Sequence, residues 1–249
     1  MLVNLLPSHK IIIVDDGSDY DTWDYLKQIA AQNHSITLVR HEIAKGYTKS
    51  ANLGMQIADA EFVILLNSDT IVSPDWALKL LQTAMSSNLI DVVGPMSNAA
   101  SWQSLPFVKD PKNGGMIINE LPEGKTVADM DKFCEQYGWF GHFPRVPLIN
   151  GFYYGIKREV IDAIGYFDEE AFPKGYGEED DYSMRALNAG FTHALATHCY
   201  VFHAKSKSFG AETRSVLAEA GGNALRARHG EKRIKRAVIL SLIHISEPT

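Results

Sequence analysis

The chain has 249 residues, 45% hydrophobic and 22% charged, which excludes an intrinsically disordered chain, a collagen-like fibre and a small disulfide-stapled scaffold. Lysine and arginine number 24 against 30 aspartates and glutamates, a formal net charge of −6, which argues against a general nucleic-acid binder. The length fits one large domain, because single cores stop growing near about 250–300 residues.

Met1–Leu6 lacks the basic start and cleavage site of a signal peptide. Leu2, Leu5 and Leu6 resemble the last turns of an amphipathic helix. Ile11–Val14 is a continuous β-branched run, the pattern of a strand buried on both faces, and it stops at the polar turn Asp15-Asp16-Gly17-Ser18. Asp21–Ala31 predicts a helix with Trp23, Leu26, Ile29 and Ala30 on one face. Ile36–Val39 is a second strand. Lys45-Gly46-Tyr47 forms a loop, and Ser50–Ala58 predicts a helix. A third strand, Glu61–Leu66, ends at Asn67-Ser68-Asp69. Ser73 and Pro74 predict the N-cap and first position of a helix running to about Ser86. Asp91–Gly94 is a fourth strand.

Strand and helix thus alternate to about residue 95, the pattern of a parallel α/β sheet with right-handed crossovers. In such sheets ligands bind outside the carboxyl ends of the strands, where Asp15-Asp16 and Asn67-Ser68-Asp69 both fall. Residues 97–147 are irregular except for a helix at Thr126–Tyr137, and predict a lid or binding loop. Leu148–Ile156 reads as a strand and Arg158–Ile164 as a short helix. Glu178–Asn188 is a helix closed by Gly190. His193–Val201 is a last strand, followed by one basic helix over Ser215–Arg236. Residues 241–249 fit no element and are expected to be a non-native tail, which leaves one domain over residues 1–240. Cys134 and Cys199 form no metal-binding pattern and read as reduced thiols of a cytosolic protein. The apolar runs Phe62–Leu66 and Ala237–Ile245 are far shorter than the roughly 20 residues that span a bilayer.

Four groups can carry chemistry. Asp15 and Asp16 can accept hydrogen bonds from a base or ribose, although a turn with Asp16 as cap is the plainer account. Asp69 can bind a hard divalent cation that holds a diphosphate, with Asn67 in place of a second carboxylate. His203, just past a strand, suits Mn²⁺ better than Mg²⁺, and Lys205, Ser206 and Lys207 beyond it can meet phosphate oxygens. Glu178-Glu179-Asp180-Asp181 opens a helix. The helix dipole explains part of that run, but one carboxylate can act as general base while another orients Arg185.

These motifs occur in an order that resembles the family 2 glycosyltransferases of the GT-A fold. The order runs through Val14-Asp15-Asp16-Gly17-Ser18, Lys45-Gly46-Tyr47 with Ala51-Asn52-Leu53-Gly54, and Leu66-Asn67-Ser68-Asp69. It continues through Gly151, Gly165-Tyr166-Phe167-Asp168-Glu169, Gly177-Glu178-Glu179-Asp180-Asp181 and His203. The resemblance implies an α/β, Rossmann-like GT-A domain with a mixed, mainly parallel sheet flanked by helices. It implies inverting transfer of a hexosyl or deoxyhexosyl group from a nucleotide-diphosphate sugar to a hydroxyl of a glycan or lipid-linked glycan. Asp15, Asp16, Lys45, Gly46, Asn52, Asn67 and Ser68 then fall on the nucleotide-sugar side. Asp69 and His203 hold a divalent metal, Mn²⁺ or Mg²⁺. Glu179 or Asp180 is the base, and Gly151, Trp102 and Glu178 fall on the acceptor side. Ser97-Asn98 with Ser101-Trp102-Gln103 resembles a sub-group of bacterial surface-polysaccharide enzymes.

Members of that family usually open with a βα unit before the Val-Asp-Asp-Gly-Ser strand, so an N-terminal unit is expected to be missing. The competing reading is a truncated fragment that binds nucleotide sugar or carbohydrate without turnover. A sugar nucleotidylyltransferase expects a glycine-rich phosphate loop, and no such run appears. Arg226, Arg228, Lys232, Arg233, Lys235 and Arg236 offer a peripheral contact to an anionic membrane, with a solvated helix face as the alternative. The expected location is the cytoplasm, at the inner face of the membrane if that contact is made.

Overall fold

The computed structural model describes residues 9–115, 117–138, 142–204 and 211–246. The elements follow the order β1 (Ile11–Asp15), α1 (Tyr20–Gln32), β2 (Ile36–Arg40), α2 (Tyr47–Ile57), β3 (Phe62–Leu66), β4 (Thr70–Val72), α3 (Trp76–Met85) and β5 (Val92–Ser97). After a 3₁₀ turn at Ser101–Gln103 come α4 (Val127–Tyr137), β6 (Tyr153–Lys157), α5 (Arg158–Ile164), α6 (Glu178–Asn188), β7 (His193–His203), α7 (Ala211–His229) and α8 (Glu231–Ser246).

Five strands form one sheet in the order β3-β6-β5-β7-β4. β3 and β5 both pair antiparallel with β6, β5 pairs parallel with β7, and β4 pairs antiparallel with β7. β3, β5 and β7 therefore run one way and β6 and β4 the other, a mixed sheet with most strands aligned. Helices cover both of its faces, which is why β3 is apolar at every position. Val63 and Leu65 face a core with Met55, Val160, Ile161, Tyr182 and Ala186 from α2, α5 and α6. Phe62, Ile64 and Leu66 face the other core, built on Trp76, Ala77, Leu80 and Ala84 of α3.

The first strands differ from expectation. β1 pairs in parallel with β2, Ile11 opposite Ile36, in a separate two-stranded sheet. Its apolar residues are half-buried, not enclosed on both faces, because α2 covers it from one side. α1 begins at an Asp19 cap and buries no residue completely, although Trp23, Leu26, Ile29 and Ala30 do form its half-buried stripe.

Other boundaries moved for local reasons. α3 starts at Trp76, not at Pro74, because Asp75 takes a left-handed conformation (φ 55°) and Ser73 makes no cap. β4 was not anticipated; it exists because β7 continues to His203 and gives it a partner. The 97–104 stretch is not a lid. Asn98, Ala99, Ala100, Trp102, Gln103 and Ser104 are all buried. The basic helix is two helices, broken at Gly230 (φ 80°), and α8 continues through Ser246, within the 241–249 stretch expected to be a tail. Both cysteines are free and buried. Among the described residues no helix is long and apolar enough to cross a membrane.

Candidate active site

The β4–β7 ladder builds the first half of the site. Thr70 pairs with His203, so Asp69, one residue earlier, lies beside the histidine. Asp69 Oδ1 is 3.2 Å from His203 Nε2, and the Ala204 N–H donates to the Asp69 carbonyl at 2.8 Å. Asn98 clamps His203 at both backbone atoms: the His203 N–H donates to Asn98 Oδ1 (2.7 Å), and Asn98 Nδ2 donates to the His203 carbonyl (3.1 Å). The His203 ring stacks on Phe152, 5.0 Å between centroids at 15°. Asn67 Oδ1 is buried and has no hydrogen-bond partner among the described residues. A carboxylate oxygen and an imidazole nitrogen so close together suit one divalent ion of the Mn²⁺ type. Among the described residues no group of three or more His, Cys, Asp or Glu side chains is placed to hold a metal by itself.

The start of α6 builds the second half. Glu178 is buried, Glu179 and Asp180 half-buried, and Glu178 Oε2 and Glu179 Oε2 have no hydrogen-bond partner among the described residues. Burial raises the carboxyl of Glu178 well above the usual range, and the charge of Glu179 adds to that. Burial also raises Glu179, against backbone N–H groups at Gly177, Gly151 and its own turn that pull it back. Asp180 is pushed well above its usual value by burial and by Glu179. The helix dipole favours negative charge here, but desolvation outweighs it. Asp181 behaves oppositely. Burial works against its charge, yet Arg185, His229 and Arg228 hold its carboxyl below the usual range.

Asn150-Gly151-Phe152 joins the halves. Gln103 Oε1 accepts from the Asn150 N–H (2.7 Å). A Cβ on Gly151 would sit 3.0 Å from Glu179 Cβ and Cγ, so glycine lets the glutamate lie close against the backbone there, and a larger residue would push it back. Tyr47 Oη donates to the Gly151 carbonyl at 3.3 Å. Phe152 carries the His203 ring, and its carbonyl accepts from the Asn67 N–H (3.0 Å).

Other expected site residues are committed to the protein itself. Asp15 is buried; Ser18 N–H and Oγ–H donate to its Oδ1, and Arg40 Nη1 to its Oδ2 (2.5 Å). Asp16 accepts from the N–H groups of Lys45 and Gly46, both at 2.8 Å, and meets His41 Nδ1 at 3.0 Å. Burial opposes its ionisation, but these hydrogen bonds hold its carboxyl below the usual range. Asp16 thus shapes the Lys45–Gly46 loop, from which the Lys45 side chain is exposed, and Ser68 is exposed too. Asn52 is not at the loop surface. It is buried, donates to the Phe167 carbonyl (3.0 Å) and to Glu169 Oε1 (2.8 Å), and accepts from the Phe167 N–H (2.9 Å). Trp102 is not open to an acceptor, because its buried indole N–H donates to the Leu148 carbonyl (2.9 Å). Arg228 turns inward to Asp181 and Asp168, Arg233 reaches Asn188, Arg226 reaches Asn223, and Lys235 pairs with Glu231. With four of the six basic residues so engaged, a membrane contact has no support. Lys205, Ser206 and Lys207 lie outside the described residues, as do Leu2, Leu5 and Leu6.

Tyr47 and Phe152 also border this arrangement, and each directly follows a glycine of the motifs, which is the signal the sequence offers. Arg228 and His229 gave none, since a basic helix residue usually reads as solvated.

A model of the family described as "Glycosyl transferase family 2" matches residues 2–163. The chain belongs to that family. It is 28% identical over 197 residues to a hyaluronan synthase of Pasteurella multocida, covering 73% of this chain and 20% of that protein. It is 32% identical over 172 residues to a poly-β-1,6-N-acetyl-D-glucosamine synthase of Staphylococcus epidermidis, covering 66% of this chain and 36% of that one. The chain thus spans between about a fifth and about a third of these relatives' length. Among solved structures, a mannosyltransferase of Pyrobaculum calidifontis in complex with GDP-Man and Mn²⁺ aligns at TM-score 0.60 and 14% identity, over 94% of this chain and 60% of that one. GalNAc-T7 with UDP, GalNAc and Mn²⁺ aligns at TM-score 0.56 and 18% identity, over 78% of this chain and 37% of that one. The fold is that of the GT-A glycosyltransferases.

Asn52 gives a direct check on the division between scaffold and ligand groups. Asn52→Ala should lower unfolding free energy by about 1–3 kcal/mol, because it strips partners from buried backbone groups. Urea denaturation measures this. Nucleotide affinity of the folded fraction should not change; lost affinity with full stability would return Asn52 to the nucleotide site.

Proposed function

We propose that this chain transfers a sugar from a nucleotide-diphosphate sugar to a hydroxyl of a glycan or lipid-linked glycan, with inversion, in the synthesis of a cell-surface polysaccharide. The observation that carries the reading is the pairing of Asp69 with His203 on one side of Asn150–Phe152 and the desolvated carboxylates of α6 on the other. Relatives named as hyaluronan and poly-β-1,6-N-acetyl-D-glucosamine synthases support the polysaccharide part.

In this reading Asp69 and His203 hold a divalent ion, Mn²⁺ or Mg²⁺, together with the diphosphate of the donor. Bound there, such an ion supplies positive charge against the charge that builds on the departing nucleoside diphosphate. Asn67 offers its amide oxygen, unpartnered among the described residues, to the donor. Glu179 is the base: it packs on Gly151, one of its oxygens has no hydrogen-bond partner among the described residues, and burial raises its basicity. It takes the proton of the acceptor hydroxyl as that oxygen attacks the anomeric carbon, and the bond to the diphosphate oxygen breaks on the opposite face. No general acid is required, because the leaving group is activated. Glu178 and Gly151 border the space for the acceptor.

Release of nucleoside diphosphate from a panel of nucleotide sugars, with Mn²⁺ and oligosaccharide acceptors, tests the reading. Turnover is expected; nucleotide binding without any turnover would favour a binding fragment. Asp69→Ala should abolish Mn²⁺-dependent nucleotide affinity, and an unchanged Mn²⁺ dependence would overturn that assignment.

Glu179→Gln should retain donor binding and lose transfer, by about 10²–10⁴-fold for a general base. If Asp180→Asn alone does this, Asp180 is the base. The pH dependence has a definite sign. A base works only when ionised, so turnover should rise with pH through a range above the ordinary glutamate value of about 4.3. Carboxyls raised on folding contribute stability at low pH that is lost as pH rises through their folded values. Activity should therefore increase across the window in which stability falls. A turnover profile already flat from the ordinary carboxylate range upward would contradict the assignment.

A further inference from the structure

We infer that α7 is a positioning element for the acidic cluster, with Gly221 seating the helix on the turn that enters α6. The kinetic consequence rests on the glycosyl-transfer reading above; the structural consequence does not. The turn Gly175-Tyr176-Gly177 has φ values of 95°, 68° and 120°. Tyr176 carries a side chain in that left-handed region, which costs on the order of 1–3 kcal/mol and persists only where the surroundings hold it.

α7 supplies the hold. A Cβ on Gly221 would lie 1.8 Å from the Tyr176 carbonyl oxygen, so the helix backbone rests directly on that carbonyl. Leu225 Cδ1 lies 3.1 Å from where a Cβ of Gly177 would be. Further along, Arg228 Nη1 and His229 Nε2 donate to Asp181 Oδ1 at 2.9 and 2.8 Å, while Arg185 Nε takes Oδ2 at 2.8 Å. Arg228 also reaches Asp168. Positions 221, 225, 228 and 229 share one helix face. That face grips α6 on both sides of Glu178–Asp180, at the turn before them and at the carboxylate after them. Tyr47 from α2 and Tyr154 from β6 face the cluster from the other elements.

A glycine inside a helix costs about 0.5–1 kcal/mol relative to alanine, and α7 has two in succession. The structure separates them. Gly221 has a backbone atom where its Cβ would be, whereas Gly222 would meet only the flexible side chain of Arg226, at 3.3 Å. Gly222→Ala is therefore the control for Gly221→Ala, in the same helix and with the same gain in helix propensity.

The experiment uses the full chain. Carboxyl titration by ¹³C NMR reads the cluster without any donor, and steady-state kinetics read its function. Gly221→Ala should let water reach the cluster and shift its titration downward. It should cut kcat by about 100-fold, the effect of an ångström-scale misplacement, with donor KM unchanged. Gly222→Ala should match the wild type in both. If Gly221→Ala titrates and turns over like Gly222→Ala, the inference is wrong. If wild-type protein releases no nucleotide from any donor, the transfer reading fails while the titration still decides the clamp. Should Gly221→Ala not fold, Arg228→Lys serves in its place. It keeps the charge but cannot bridge Asp181 and Asp168. The same downward shift is expected, and a wild-type titration would overturn the clamp.

Discussion

Asn150-Gly151-Phe152 must satisfy two sites of opposite character within three residues, and the remaining geometry follows from that constraint. One side supports a ring nitrogen next to a carboxylate. The other admits a glutamate side chain against bare backbone. Neither partner can be placed independently. Phe152 fixes the plane of His203 by stacking, and Gly151 fixes how near Glu179 can come. Gln103, buried and bonded to both Pro95 and Asn150, holds the segment from behind. The 97–104 stretch is therefore packed core, because it carries the support for this crossing.

The four carboxylates at the start of α6 show how position decides charge. All four profit from the helix dipole, yet three are driven toward the neutral form and one away from it. The difference is partners. Asp181 receives donors from Arg185, Arg228 and His229, which outweigh its desolvation, whereas burial outweighs the backbone N–H groups that reach Glu178 and Glu179, and Asp180 is raised by burial and by Glu179. A carboxylate raised by burial is a stronger base than an exposed one. A group that is buried and triply bonded is a structural anchor. The sequence Glu-Glu-Asp-Asp contains both kinds side by side.

Much of the fold was legible because the relevant signals are local. Phe62–Leu66 is apolar throughout, Glu178–Asn188 is bounded by Gly177 and a terminal glycine, and α5 and α6 ran where periodicity put them. β4 was invisible because three residues carry no period and its partner strand had to extend to His203 first. The convergence of Asp69 with His203 was legible through motif order, although no spacing rule links residues so far apart. Asp15, Asn52 and Trp102 make hydrogen bonds within the protein that the sequence does not reveal, for one reason. Each is a polar group whose partner is distant in sequence or in a turn, and residue type alone cannot tell a hydrogen bond to Phe167 from one to a nucleotide. Arg228, expected at a membrane surface or on a solvated helix face, turns inward to partners equally distant in sequence.

The proposed transfer depends most on Asp69 and His203 acting as one site. The direct measurement is diffraction at an energy where manganese scatters anomalously, from crystals grown with Mn²⁺ and a nucleoside diphosphate. A single anomalous peak is expected within coordination distance of Asp69 Oδ1 and His203 Nε2, with diphosphate oxygens on its open side. A peak elsewhere, or a nucleotide seated with no ion at that pair, would contradict it.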